Sequence, residues 1–359
     1  MKSNVTMRAL SGAMLLAISA GSAFAGPWTS GNLIILQASG APTLSGIATQ
    51  VTLREFGGGV FTGNDLAMNG GAVGTRLTIS GSSTSEGQMN LSEDGRYLTF
   101  AGYDAALGTA AIVATTTATV NRVVASVDLG QNATLNRISD TFSAGNIRSA
   151  TSTNGATFAA TGSNSGVRGL DPTGGNTTTT SLSSTPTNLR VARYDLGARL
   201  FVSSSTGVFQ GVSEVVGGTT TLLPGFPSAT GPSAYDFEFV TSTLLYVADD
   251  RTTAAGGLQR WELVSGTWTL QYTIAVTSGL RSIAVTTDAA GNNLIYGVSG
   301  GALPSLVSVV DTGAASLATV LATSATGAAF RAVEFVPVPA PGTAALLGLA
   351  GLAAARRRR

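Results

Sequence analysis

Residues 330–335, Phe330-Arg331-Ala332-Val333-Glu334-Phe335, have the composition of a β-strand and are followed only by the C-terminal tail. Aromatic and β-branched residues in a run of this length are typical of a strand in a sheet. Five earlier units of the chain begin in a similar way. Each has a leading strand, a turn with Gly and usually Asp or Asn, and then an apolar strand. The sixth unit is therefore incomplete.

The units recur at a nearly regular interval. Equivalent positions in successive leading strands are 58, 42, 46, 46 and 50 residues apart. Intervals of about 40 to 50 residues are typical of the four-stranded blades of a β-propeller. The positions compared are Leu91, Ser149, Val191, Phe237, Ile283 and Val333.

The N-terminal part of the chain offers what the last unit lacks. Strand-like runs at residues 33–37, 51–56 and 76–80 have no leading strand of their own. Pairing them with residues 330–335 would complete a blade from both ends of the chain and leave no solitary edge strand. The sequence therefore predicts an all-β protein, a β-propeller of six blades over residues 26–336. Seven blades, a long β-sandwich and a β-helix are the alternatives.

The composition excludes several kinds of chemistry. The 359 residues include no His and no Cys, and Lys2 is the only lysine. The Gly-x-Ser-x-Gly sequence around Ser299 therefore has no histidine with which to form a hydrolase triad. The usual zinc, copper and haem sites also need His or Cys. We expect no enzyme that depends on these groups.

The charge is small and unevenly placed. Only 11% of the residues are charged, and six of the 20 basic residues lie in the two ends, which leaves 14 against 19 acidic residues between them. A basic surface for nucleic acid is not expected from this balance.

Carboxylates are one remaining candidate for a site. Asp236 and Glu238 are two residues apart in a strand, and Asp249 and Asp250 follow the next strand. Together they could hold Ca²⁺ or act as an acid and base pair on a glycan. Alternatively, Asp236 and Glu238 pair with arginines of neighbouring blades while Asp249 and Asp250 cap a turn. Apart from this Ca²⁺ hypothesis, we expect no cofactor.

Recurring arginines are the second candidate. Arg148, Arg190, Arg281 and Arg331 occupy similar places in four leading strands, and Asp236 takes that place in a fifth. The repeat would bring the four guanidinium groups to one rim or channel of the propeller, where they could hold carboxylates or phosphates. The alternative is ion pairing between blades.

The first 25 residues have the layout of a secretory signal peptide. Lys2 and Arg8 precede an apolar run at residues 9–18, and the small residues Ala23 and Ala25 follow. This order predicts cleavage by signal peptidase after Ala25. A short buried helix is the alternative.

The last residues have the layout of a membrane stop. The sequence Val338-Pro339-Ala340-Pro341 precedes an apolar run at residues 343–355. As a helix, those thirteen residues would cover about 20 Å, less than the ~30 Å of a bilayer core. The chain then ends on four basic residues, Arg356, Arg357, Arg358 and Arg359.

Residues 337–359 resemble the PEP-CTERM sorting tail of Gram-negative bacteria. The match rests on Val338, Pro339 and Pro341, the apolar run and the arginine block, with Ala340 where that family usually has Glu. The resemblance implies passage through the inner membrane on the short C-terminal transmembrane helix and removal of the tail by an exosortase-type protease. An ordinary membrane anchor is the alternative.

These features together predict an exported protein of the cell surface or extracellular matrix. We expect a non-catalytic binding or structural role, with extracellular polysaccharide or surface proteins as partners. The alternative is a carboxylate-dependent propeller hydrolase or lyase that acts on extracellular polysaccharide.

Overall fold

The computed structural model describes residues 26–40, 42–68, 71–253 and 255–339. This part of the chain contains 25 strands and three 3₁₀ turns, at Ile112–Ala114, Thr173–Gly175 and Gly207–Phe209. The strands are β1 (Leu33–Ser39), β2 (Ala48–Gly57), β3 (Val60–Ala67), β4 (Thr78–Ser80), β5 (Met89–Leu91), β6 (Leu98–Tyr103), β7 (Arg122–Val127), β8 (Ala133–Ile138), β9 (Ile147–Ser152), β10 (Phe158–Gly162), β11 (Val167–Leu170), β12 (Thr180–Ser183), β13 (Ala192–Asp195), β14 (Arg199–Ser204), β15 (Gly211–Val216), β16 (Thr219–Leu222), β17 (Ala234–Thr241), β18 (Leu244–Asp249), β19 (Gly257–Val264), β20 (Thr267–Ala275), β21 (Leu280–Thr287), β22 (Asn293–Ser299), β23 (Ser305–Asp311), β24 (Thr319–Thr323) and β25 (Ala328–Phe335).

Sixteen of the strands form four antiparallel sheets of four strands, each in chain order: β9 to β12, β13 to β16, β17 to β20 and β21 to β24. Short turns connect the strands. The turn from β19 to β20 consists of Ser265 and Gly266, both with positive φ (49° and 81°). Two such residues are typical of a tight hairpin turn that matches the twist of the strands.

The two ends of the described chain pair in one sheet of nine strands. Strand β25 pairs with β1 in antiparallel register, from Leu33 opposite Phe335 to Ser39 opposite Ala328. On its other side β1 pairs with β2, which pairs with β3. The sequence-based prediction that residues 330–335 complete an N-terminal sheet is therefore confirmed.

One detail of that prediction is wrong. The outer strand of this group is β3, Val60–Ala67, and not residues 76–80. Strand β3 was missed because it lies largely in solvent and its polar sequence lacks an apolar run. Strand β4, Thr78–Ser80, instead connects β2 to β6 in the same nine-stranded sheet.

Six strands lie on the inside of the molecule, each beside the next, and are called the inner strands: β5, β9, β13, β17, β21 and β25. Contacts run from β5 to β9, from β9 to β13, from β17 to β21, from β21 to β25 and from β25 back to β5. An ion pair between Arg193 of β13 and Asp236 of β17 connects the remaining pair. Buried apolar side chains fill the space between sheets, as where Ile35 and Val333 pack with Ala284 and Val298. The chain is an all-β propeller around a central channel.

Within these described residues, the structure has no helix long and apolar enough to cross a membrane. The predicted signal peptide, with Ala23 and Ala25, and the tail from Ala340 and Pro341 to Arg359 lie outside the described residues.

Candidate functional site

Three of the predicted arginines sit at β-bulges in the inner strands. In β9, Ile147 and Ser149 face consecutive residues of β10, so Arg148 is the extra residue. In β21, Leu280 and Ser282 likewise face consecutive residues of β22, so Arg281 is the extra residue. In β25 the extra residue is Arg331. A bulge bends the strand and re-aims the side chain of its extra residue.

Two of the three other inner strands, β13 and β17, have the same irregularity. Ser203 of β14 forms backbone hydrogen bonds with both Arg190 and Val191 just before β13. In β17 the pairing shifts between Ala234 and Phe237, so Tyr235 and Asp236 together are opposite one residue of β18. Five of the six inner strands therefore carry a bulge in or just before their first half, at one end of the channel.

Tyr235, not Asp236, takes the fifth place among the arginines. The Cζ atom of Arg190 lies 4.4 Å from the centre of the Tyr235 ring, and that of Arg281 lies 5.8 Å from it. The prediction for Asp236 is wrong because the bulge in β17 turns its carboxylate to a different cluster, described below. We call Arg148, Arg190, Arg281, Arg331 and Tyr235 the arginine ring.

Ion pairing accounts for only part of the ring. Arg190 binds Asp250 of the next sheet at 3.1 Å, and Nε of Arg281 is 3.8 Å from the same carboxylate. Arg148 instead donates to uncharged acceptors, Asn188 Oδ1 at 2.6 Å and the Leu189 carbonyl at 2.9 Å. Ion pairing between blades, the alternative predicted for these arginines, is therefore observed for Arg190. Within the described residues, Arg148 forms no ion pair.

The loop between β4 and β5 covers this end of the channel. Its Gly81 carbonyl accepts a hydrogen bond from Arg331 at 2.7 Å, and its Ser85 hydroxyl accepts one from Arg148 at 3.1 Å. Tyr235 donates its hydroxyl proton to the Thr84 carbonyl at 2.5 Å. The loop thus offers the ring neutral acceptors and no carboxylate at these contacts.

Two donors of the ring lack acceptors. Within the part of the chain that the structure describes, Nε of Arg281 and Nε of Arg331 are buried and form no hydrogen bond. Arg331 is only 5% exposed. A buried donor without a partner costs roughly 1 to 3 kcal/mol, and more when the group is charged.

The ring has an excess of positive charge. Besides Asp250, the nearby carboxyl is Glu86, which accepts hydrogen bonds from Tyr103, Asn146 and the Ser80 amide. Burial raises the pKa of Glu86, so this carboxyl gives up its negative charge more readily than an exposed one. Burial likewise lowers the pKa of Arg331, because solvation no longer supports its charge.

A second cluster surrounds Arg193 further along the channel. Its guanidinium lies 3.4 Å from Asp236, 3.6 Å from Glu238 and 3.1 Å from Glu334, on the inner strands of two other sheets. Burial raises the pKa of all three carboxyls, that of Glu334 to about 7. Asp236 and Glu238 therefore occupy the arrangement that the sequence offered as the alternative, pairing with an arginine of a neighbouring sheet.

The four predicted carboxylates do not form one site. Asp249 accepts hydrogen bonds from Arg251 at 2.9 Å and Gln259 at 3.1 Å, whereas Asp250 pairs with Arg190 of the arginine ring. Among residues 26–40, 42–68, 71–253 and 255–339, no group of three or more acidic side chains is arranged to hold a metal ion. The geometry of these residues thus gives the Ca²⁺ hypothesis no support.

The sequence reasoning missed Tyr235, Arg193 and the loop at residues 81–88. Arg193 follows Arg190 by three residues, and a bulge between them could have been suspected from that spacing. It also missed Asn90, whose buried amide donates to Ser149 Oγ and to the carbonyls of Ala150 and Ala192. A single Asn in a short strand carried no pattern that would reveal this.

No protein-family model and no curated protein matches the chain. Among solved structures, its fold is similar to that of a candidate 6-phosphogluconolactonase from Bacteroides fragilis, with a TM-score of 0.44 and 10% sequence identity over 82% of each chain. At this identity and score the likeness concerns the fold alone, and no function is inferred from it.

Proposed function

We propose that the protein is an exported component of the cell surface or extracellular matrix that binds its partner, without catalysis, at the arginine-ring end of a six-bladed propeller. The blade number follows if the nine-stranded sheet is divided at β4 into β25-β1-β2-β3 and β5-β6-β7-β8. Strand β4 pairs with β6 through a single residue pair, Thr78 and Tyr103. Each half then has four strands, like the other four sheets.

Export is supported by the sequence of the two ends. The signal peptide and the PEP-CTERM-like tail imply signal peptidase and an exosortase-type protease as partners during delivery. Mass spectrometry of the surface-delivered protein tests this part of the proposal. We expect an N-terminus at Gly26 and loss of the tail, whereas an intact C-terminus at Arg359 would overturn tail removal.

The position of the tail favours a ring that faces away from the membrane. Arg331 lies four residues before Phe335 in β25, a separation of about 13 Å along a strand. Beyond Phe335, the Val338 amide donates to the Gly95 carbonyl at 2.8 Å, in the turn between β5 and β6. The chain thus leaves the propeller at the end of the channel opposite the ring.

The observation that carries the binding role is the ring itself: four arginines from four inner strands at one channel end, with few carboxylates to neutralise them. Extracellular polysaccharide is the partner class we favour, because guanidinium groups bind carboxylate and phosphate substituents in bidentate geometry.

A polysaccharide array, assayed for both retention and cleavage, tests this role. The double variant Arg190→Gln/Arg281→Gln should lose retention, and Arg199→Gln should keep it, since Arg199 pairs with Glu214 on the surface. Unchanged retention by the double variant together with lowered stability would show that the ring arginines are structural only.

The carboxylates around Arg193 support a second candidate, a hydrolase or lyase that acts on extracellular polysaccharide. Glu238 and Glu334 have raised pKa values because they are buried, which suits a general acid near neutral pH. Product release from the array that disappears in Glu334→Gln would favour this enzyme. Retention without product release would favour the binding protein.

A further inference from the structure

We infer that the arginine ring holds one compact anionic group, a carboxylate or a phosphate, between the side chains of Arg281 and Arg331. This inference rests on the proposed binding role and names the chemical class of the ligand.

Arg281 and Arg331 belong to adjacent inner strands. The Ser282 hydroxyl accepts a hydrogen bond from the Val333 amide at 3.1 Å, which fixes β21 beside β25 within two residues of both arginines. Burial is the main cause of the lowered pKa of Arg331, and the positive charge of Arg281 lowers it further against the opposing effects of Tyr235 and Glu86. Two like charges lie on adjacent strands here, and one of them is almost fully buried.

Within the described residues, the carboxylates near this pair offset its charge only at longer range, since neither Asp250 nor Glu86 accepts a hydrogen bond from Arg281 or Arg331. Asp250 accepts hydrogen bonds from Ser233 at 2.6 Å and from Arg190, and it lies 3.8 Å from Nε of Arg281. Arg331 has the Gly81 carbonyl as its acceptor. An anion that accepted a hydrogen bond from both Nε atoms would supply the missing acceptors and reduce the repulsion between the guanidinium groups.

A groove lies next to Arg281. The side chain of Arg281 is 20% exposed. Gly300 lies directly behind it, since a Cβ at Gly300 would be 3.5 Å from Arg281 Nε. Gly300 also lines a groove of about 580 Å³ with hydroxyl groups of Ser278 and Ser299 and the apolar side chains of Leu303 and Leu317. A carboxylate or phosphate carried on a larger molecule could bind at Arg281 while the remainder occupies the groove.

Calorimetric titration of the full chain tests the inference, with inorganic phosphate and glucuronate as probes and glucose as the neutral control. The variant is Arg281→Gln, because within the described residues Arg281 loses a long ion pair with Asp250 and a contact with the Tyr235 ring but no hydrogen bond. Arg199→Gln is the matched control, since it removes the same charge from a side chain that is 48% exposed on an outer face. We expect phosphate or glucuronate to bind, glucose not to bind, and Arg281→Gln to raise the Kd at least tenfold, the loss of about one charged hydrogen bond.

Thermal unfolding provides a second measurement of binding. It compares three chains, so the result does not depend on whether one variant folds. The effective probe should raise the Tm of the native chain and of Arg199→Gln but not that of Arg281→Gln, because only a ligand of the folded state stabilises it. Absence of binding by both probes, or equal Kd values for the two variants, would overturn the inference.

The two levels of the proposal can fail separately. If Arg281→Gln keeps native retention on a polysaccharide, the binding role stands and the anionic ligand class is wrong. If phosphate or glucuronate binds through Arg281 but no polysaccharide is retained, the ligand class stands and the polysaccharide-binding role is wrong.

Discussion

Closure of the propeller by its two ends can be tested at Ile35. This residue is fully buried in β1, between β2 and β25, and packs with Phe56, Phe330 and Val333. Ile35→Ala removes three carbon atoms, about 0.8 kcal/mol each in transfer free energy. The cavity that remains adds to this loss, which gives a destabilisation of about 3 to 4 kcal/mol.

Equilibrium urea unfolding measures the effect. Val60→Ala is the control, because Val60 lies in outer strand β3 of the same sheet and is 71% exposed. It should change the free energy of unfolding by less than about 0.5 kcal/mol. If the closed ring unfolds as one unit, Ile35→Ala lowers the midpoint and leaves the m-value unchanged. A loss no larger than that of Val60→Ala would refute the closing role of β1.

Three further predictions concern the channel and the tail. Burial raises the pKa of Glu334 from 4.5 to about 7, so the folded protein holds a proton that the unfolded chain releases between these pH values. The free energy of unfolding should therefore fall as the pH rises from about 5 to 7, and Glu334→Gln should flatten that slope; an unchanged slope would contradict the assignment. Asn90→Ala should cost about 1 to 3 kcal/mol in urea unfolding, because the Asn90 amide connects β5 to two other inner strands. A cost below about 0.5 kcal/mol would contradict this role. Because the chain has no Cys, single fluorescent labels at Ser82→Cys beside the ring and at Ala156→Cys near the tail exit can be compared on vesicles that hold the full chain. A lipid-borne quencher should affect the label at residue 156 more, and equal quenching would contradict a ring that faces away from the membrane.

The fold could be predicted from the sequence where its strands are buried. Inner and central strands carry apolar runs at regular intervals, and the incomplete last unit at residues 330–335 indicated which strands had to meet. Outer strand β3 is exposed and polar, so no pattern distinguished it from a loop.

The arginine ring was predictable only in part for a different reason. The repeat located the four arginines, since each lies near the start of a leading strand. A bulge changes which residue faces the channel, and this local change put Tyr235 rather than Asp236 in the fifth place. The loop at residues 81–88 reaches the ring through backbone carbonyls of Gly81 and Thr84. Every residue has a carbonyl, so these contacts could not be predicted from residue types.

The Arg193 cluster shows how tertiary contacts override a local pattern. Asp236 and Glu238, read along one strand, suggested a site for a cation or for acid and base catalysis. The structure adds Glu334 from β25 and Arg193 from β13, so that a buried cation lies among three carboxylates. Contacts between inner strands of different sheets cannot be read from the spacing within one strand.

The most direct measurement is a crystal structure of the full chain with bound glucuronate or phosphate. We expect an anion at the ring end of the channel, within about 3 Å of Nε of both Arg281 and Arg331. An anion bound only elsewhere, with both Nε atoms still lacking an acceptor, would contradict this expectation.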